Sequence, residues 1–183
     1  MGLKFPSSGQ FLSIDVIDGP DVVPAAKRLL KTHSEDGGVS VWDSSSIFFE
    51  MHGLEVSDRP SARTLVLLYA ADLCFRLRWE IIPALEEGKC VVAVPYIQTG
   101  FAFGAVAGLP QKWLTEVFRF APNATESYRL NGASSRKLGP PTSGFIEFCS
   151  TTVNEDLRPK FATYFEDLER RGRCRPLSTL ALG

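Results

Sequence analysis

The stretch FLSIDVIDGPDVVPAAKRLL, residues 11–30, has the outline of a phosphate-cradling loop. A short apolar run, Phe11–Ile17, ends in a turn at Gly19-Pro20, and a helical pattern follows at once. Backbone N–H groups at such a helix start hold anions, and a Gly-Lys-Ser/Thr triplet supplies the ammonium and hydroxyl that a triphosphate and its Mg²⁺ require. Here that triplet reads Asp21-Val22-Val23. The scaffold of an anion site is legible, and its cationic chemistry is missing.

Other candidate chemistry is sparse. His33 and His52 are the two histidines, and nothing in the spacing groups either with an acid or a cysteine. Ser44-Ser45-Ser46 has no nucleophile-elbow context and reads as a helix start. The four cysteines, Cys74, Cys90, Cys149 and Cys174, show no C-x-x-C spacing, which argues against a zinc site and, in an intracellular protein, against disulfides. A net charge of −1 offers no basic footprint for nucleic acid, and LERRGRCR near the C-terminus reads as a solvated helix end. No apolar run reaches the roughly 18 residues that span a bilayer. The N-terminal MGLKFPSSGQF has no secretory h-region, and Ser7 falls one place late for a myristoylation pattern after Gly2. The expectation is a cytoplasmic protein with no metal, no membrane and no nucleic-acid partner.

The elements that would position a site can be read from periodicity. Phe11–Ile17 predicts a strand. Val23, Ala26, Leu29 and Leu30 predict a helix with Lys27, Arg28 and Lys31 outside, starting at Pro24. Glu35–Gly38 predicts a turn and Val39–Trp42 a second strand, and IFFEMHG a short helix stopped by Gly53. The strongest helical signal covers Ser61–Gly88; it is apolar around its circumference, which implies burial on two sides, with a break near Pro83 and a stop at Gly88. KCVVAVPYI, Lys89–Ile97, predicts a strand buried in a parallel sheet. Pro110–Ala121 and Asn154–Gly172 predict helices. Residues 130–144, rich in Gly, Ser and Pro, predict a mobile, lid-like loop, in which Arg136 and Lys137 lie. With 183 residues, strands alternating with helices predict one domain over residues 1–183, a three-layer α/β fold with a mainly parallel sheet.

Residues 65–103, LVLLYAADLCFRLRWEIIPALEEGKCVVAVPYIQTGFAF, resemble the thymidylate kinases, which carry LLFAADRxxHxxxxIxPALxxGxxVxxDRYxxSxxAY over the same length. IDVIDG resembles that family's IEGIDG, and GLPQKWLTEVFRFA its GLGxxWLxxLxxFA. The resemblance covers roughly residues 11–172. It implies a P-loop NTPase fold, and it implies homodimerisation through the long helix carrying AADLCFRLRWEI.

Set against the family's loop, G-x-D-G-x-G-K-[ST]-T, the sequence keeps Gly19 and departs elsewhere. Val16 replaces the first Gly, Asp21 the Gly before Lys, Val22 the Lys, Val23 the Mg²⁺-binding hydroxyl residue, and Pro24 the next Thr. Val16 and Asp21 lose conformations that Gly permits, and Pro24 loses an N–H donor. The family's Asp-Arg-Tyr triplet is Val94-Pro95-Tyr96, and its phosphate-contacting Arg after AAD is Leu73. Asp43-Ser44-Ser45 stands near the family's Arg-Glu-Pro segment. The base pocket fares better by resemblance: Tyr69 stands where a Phe stacks on the pyrimidine, Phe103 where an aromatic lines the pocket, and Asp18 at the Asp near the sugar. Stacking needs only a π-face, so a cleft for a nucleotide-like or planar ring is one expectation, and Tyr69 and Phe103 packed as core is the other. The resulting expectation is a pseudokinase that binds neither ATP nor Mg²⁺ productively, with no catalytic residue assignable. An enzyme repurposed for other chemistry, using Asp18, Asp43 and Tyr96, and a residual kinase with an atypical loop are the alternatives.

Overall fold

The computed structural model describes residues 9–16, 22–41, 58, 60–130 and 156–177. Asp18, Gly19, Asp21, residues 42–53 and residues 131–144 lie outside the described residues, and at Val16 and Val22 the backbone alone is described.

Strand β1, Gln10–Val16, lies at the centre of a five-stranded parallel sheet. Side chains alternate across a strand, so Leu12 and Ile14 face one side while Phe11, Ser13 and Asp15 face the other. Helix α1, Val22–His33, covers the first face with Ala25, Ala26 and Leu29, all buried among Leu12, Ile14, Val92 and Val94. Pro24 sits in its first turn, where a missing N–H costs no intrahelical bond. The buried stripe runs through Ala25 rather than Val23, a shift of the helix by part of a turn from the periodicity reading. Strand β2, Gly37–Val41, pairs with β3, Cys90–Val94, which pairs with β1. All five β3 residues are buried, as an apolar central strand requires. The predicted strand stops earlier than Ile97: a cis Val94–Pro95 bond follows it, and Ile97 already belongs to a helix.

The second face is covered by the remaining helices. Helix α2, Ala62–Arg76, opens on Ser61, whose Oγ accepts from the Thr64 N–H at 3.2 Å. It runs into a π-helical turn, Leu77–Ile81, and then α3, Ile82–Glu86, with Gly88 in the left-handed region closing the segment. The expected break at Pro83 is thus a widened turn. The Ile82 N–H bonds back to Leu77 O, five residues away, and Pro83 becomes part of a fresh first turn. Burial on two sides is half realised within the single chain. Leu65, Val66, Tyr69, Leu73, Leu77, Ile81 and Leu85 are fully buried, whereas Leu67, Phe75 and Trp79 are 51%, 67% and 67% exposed.

Helix α4, Ile97–Val106, was not predicted, because two glycines weaken its local signal. Its packing explains them. A Cβ on Gly100 would lie 2.5 Å from the Phe118 ring and 2.9 Å from the Tyr69 ring, and one on Gly104 would lie 2.3 Å from a Leu114 methyl. Helix α5, Gln111–Val117, is shorter than predicted, with a turn through Phe120. Strand β4, Glu126–Leu130, pairs with β1 and with β5, Arg175–Leu177; neither was predicted. Helix α6, Arg158–Arg170, lies between them in sequence, and Gly172 with φ 66° ends it as expected. The sheet order is β2-β3-β1-β4-β5, with the core divided between its two faces. Full burial of side chains such as Phe103, Phe161 and Phe165 is worth about 1.5–3 kcal/mol each.

Candidate functional site

In an open parallel sheet, ligands bind outside the carboxyl ends of strands where the connections diverge. Here β1 sends its chain to one side, through α1 to β2, and β3 sends its chain to the other, through α4 and α5 to β4. The crevice therefore lies beyond the ends of β1 and β3, where Val94-Pro95-Tyr96 stands.

Several side chains that the resemblance assigns to this crevice are packed into the core. Val94 and Leu73 are both fully buried. Tyr69 is fully buried, and its hydroxyl donates to the Tyr96 carbonyl at 2.6 Å. Its ring lies edge-on to Phe118, with centroids 6.2 Å apart. Tyr96 turns its ring onto Phe11, with centroids 5.1 Å apart and planes at 89°, and its hydroxyl donates to the Pro122 carbonyl. Phe103 belongs to the same buried cluster. The structure thus brings Tyr69, Tyr96 and Phe103 together as packed core. Burial pushes the Tyr69 and Tyr96 hydroxyls well above the usual tyrosine range, so both stay protonated donors.

Arg76, one turn after Leu73, is the buried cation of this region. Its two terminal nitrogens donate to the Pro95 carbonyl at 3.2 Å each, and its Nε donates to Asp72 at 2.7 Å. The guanidinium fixes the turn after β3 and meets its counter-ion on its own helix.

Sequence reasoning missed Asp15. Its Oδ1 accepts from the Tyr96 N–H at 3.0 Å, the Thr99 N–H at 2.8 Å and the Thr99 hydroxyl at 2.9 Å. This satisfies the free donors at the start of α4, and the helix dipole favours the negative charge there. Burial raises the Asp15 pKa to about 6, with the Thr99 and Tyr96 bonds pulling the other way. The available signal was an acid at an inward position of an apolar strand, which a folded chain must pair. Among the described residues, no three His, Cys, Asp or Glu side chains gather to hold a metal ion. No helix among them is long and apolar enough to cross a membrane.

This sheet order and layering define a P-loop NTPase-type α/β fold. A crystal structure of thymidylate kinase from Ehrlichia chaffeensis superposes with a TM-score of 0.66 over 96% of this chain and 94% of that one, at 13% identity. In sequence, the chain is 33% identical over 126 residues to a probable thymidylate kinase of Pyrococcus horikoshii, covering 62% of this chain and 60% of that protein. It is 27% identical over 182 residues to a thymidylate kinase of Xanthomonas oryzae, covering 97% and 74%. No protein-family model matches the chain. The matched region spans about 60% of the length of the archaeal relatives. The chain is thymidylate-kinase-like in sequence and fold.

Proposed function

We propose that this thymidylate-kinase-like protein does not carry out ATP-dependent phosphoryl transfer and acts as a homodimeric scaffold. The observation that carries this reading is the burial of both Val94 and Leu73, which sit in the two separate core clusters. Where the resemblance calls for an acid near the metal and an arginine on the monophosphate, two apolar side chains are fully buried. The donor side agrees: Val22 and Val23 stand where the resemblance calls for the Lys and the metal-binding hydroxyl residue. Phosphoryl transfer relies on positioning and on positive charge around the transferred group, where one well-placed Arg can be worth 10³–10⁵ in rate. Losing several such groups in both half-sites leaves nothing to stabilise the transferred charge.

The packing of Tyr69, Tyr96 and Phe103 supports a scaffold over a cleft for a planar ring. Each is fully buried or nearly so, and both tyrosine hydroxyls are spent on backbone carbonyls. The same packing weighs against a repurposed enzyme working in the old acceptor cleft.

Leu67, Phe75 and Trp79 support the dimer. They recur at i, i+8 and i+12 on the outward side of α2 and its π turn, with Ala71 exposed between them. This is the segment through which the resemblance implies homodimerisation. Covering three large apolar side chains with a second copy removes the exposure that a monomer would carry. Isothermal titration tests the loss of nucleotide binding. Heats indistinguishable from dilution are expected for ATP–Mg²⁺ and for dTMP, and micromolar binding of ATP–Mg²⁺ would overturn the reading.

A further inference from the structure

The sheet face toward α6 carries a polar site that the phosphate-loop remnant does not account for. A cavity of about 410 Å³ is lined by Ser13 and Asp15 of β1, Tyr96 and Gln98 at the start of α4, Asn123, Ser127 of β4, and Arg173 after α6. That volume suits a small molecule.

The lining residues hold hydrogen-bonding capacity that the protein leaves unused. Ser13 and Ser127 face each other at 3.1 Å across the β1–β4 register, where apolar residues would otherwise seal the sheet to the helix. Asp15 gathers bonds from Tyr96 and Thr99 on Oδ1, and the Gln98 backbone N–H also bonds to its carboxylate. Gln98 accepts from the Tyr164 hydroxyl at 3.4 Å through Oε1, leaving its amide N–H groups. Among the described residues, the side chains of Asn123 and Arg173 have no hydrogen-bond or ion-pair partner. The lining therefore has a buried carboxylate at its inner end and an exposed guanidinium at its rim. Tyr164, whose hydroxyl donates to Gln98, is pushed up to about 12, first by burial and then by Asp15, while Arg173 opposes the rise.

We propose that this cavity binds a free amino acid as a zwitterion, its ammonium toward Asp15 and its carboxylate toward Arg173, with the Gln98 and Asn123 carboxamides completing the contacts. An anionic ligand would leave the buried Asp15 unpaired, which is costly away from water, and the exposed Arg173 offers a guanidinium to a ligand carboxylate. A phosphate or nucleotide would bring anionic oxygens against Asp15. An ammonium, in contrast, compensates the desolvation that Asp15 already carries. Ser13, Asp15 and Tyr96 set this cavity beside the crevice; the proposal does not rest on the scaffold reading, because holding an amino acid needs neither phosphoryl transfer nor its loss.

The test is thermal unfolding of the full chain with each of the twenty standard L-amino acids at about 10 mM. By mass action, a ligand of millimolar affinity should raise the Tm by about 3–5 °C. The expected result is such a shift for at least one amino acid. Its N-acetyl and amide derivatives, each lacking one charge, should give none. Arg173→Gln alters an exposed side chain and should keep the ligand-free Tm while abolishing the shift; Ser127→Leu should fill the cavity and abolish it too. No shift with any amino acid would overturn the proposal. So would an undiminished shift in Arg173→Gln, or equal shifts with the charge-blocked derivatives.

Discussion

The carboxylate of Asp15 on β1 caps helix α4 at Thr99, accepting both the backbone N–H and the side-chain hydroxyl of that one residue at 2.8 and 2.9 Å. This relationship ties the central strand to the helix that follows the Val94-Pro95-Tyr96 turn. It holds the turn after β3 in place with an acid that lies within IDVIDG, one residue before Val16.

The Asp15 carboxyl makes stability depend on pH in an unusual direction. Its pKa rises from 3.8 to about 6 on folding, so between those values the folded state binds more protons than the unfolded state. Its contribution is greatest below pH 4, declines as pH rises to 6, and is flat above. At about 1.4 kcal/mol per pKa unit, the decline amounts to roughly 3 kcal/mol. Burial pushes Tyr69, Tyr96, Tyr164 and Cys174 upward, away from that window, so none of them titrates within it. Urea unfolding at pH 4 to 7.5 should show the stability of the wild type relative to Asp15→Asn falling across the window. A constant difference would refute the assignment.

Thr99 contributes a bond that can be deleted without changing shape. Thr99→Val removes the 2.9 Å hydroxyl contact to Asp15 and should cost about 1–2 kcal/mol, whereas Thr99→Ser should retain most of the stability. Chemical denaturation of the two variants side by side is the check.

Gly100 is required by contact rather than by backbone angle. Gly100→Ala would push a methyl against the buried rings of Phe118 and Tyr69, and should destabilise the protein by about 1–3 kcal/mol. Gly108, where an added Cβ meets nothing but φ is 75°, supplies a comparison in which strain acts alone. A Gly100→Ala protein as stable as the wild type would show that α4 does not pack against Tyr69 at this distance.

Phe75 and Trp79 define the proposed dimer face. Phe75→Glu and Trp79→Glu each place a charge on an exposed position and should leave the monomer folded. Light scattering after gel filtration should report a dimer for the wild type and monomers for both variants. A wild type that is monomeric at micromolar concentration would remove the dimer from the account.

Much of this fold could be read from local pattern. The β1 run, α1, the long α2 segment and β3 are dense in apolar residues at one period, and Gly88 and Gly172 mark true helix ends. The elements that escaped depend on distant partners. Strand β4 reads ESYRL, whose Ser127 and Arg129 look like loop residues until β1 places Ser13 and Asp15 beside them. Helix α4 carries glycines that only the rings of Tyr69 and Phe118 and the methyls of Leu114 justify. The π turn at Leu77–Ile81 leaves no mark in periodicity, because its i to i+5 bond shifts the register by a single residue. Among the candidate site residues, Tyr69, Tyr96 and Phe103 were locatable by resemblance, and their burial followed from contacts that composition does not encode. Asp15 was hidden by its place in an apolar strand, since its partner Thr99 lies 84 residues away.

The most direct test of the account is ADP formation by the purified protein with ATP, Mg²⁺ and dTMP together. The proposed loss of the cationic and metal-binding groups predicts no dTMP-dependent ADP above the protein-free rate. ADP formation that requires dTMP, scales with protein concentration and co-purifies with the folded chain would contradict it.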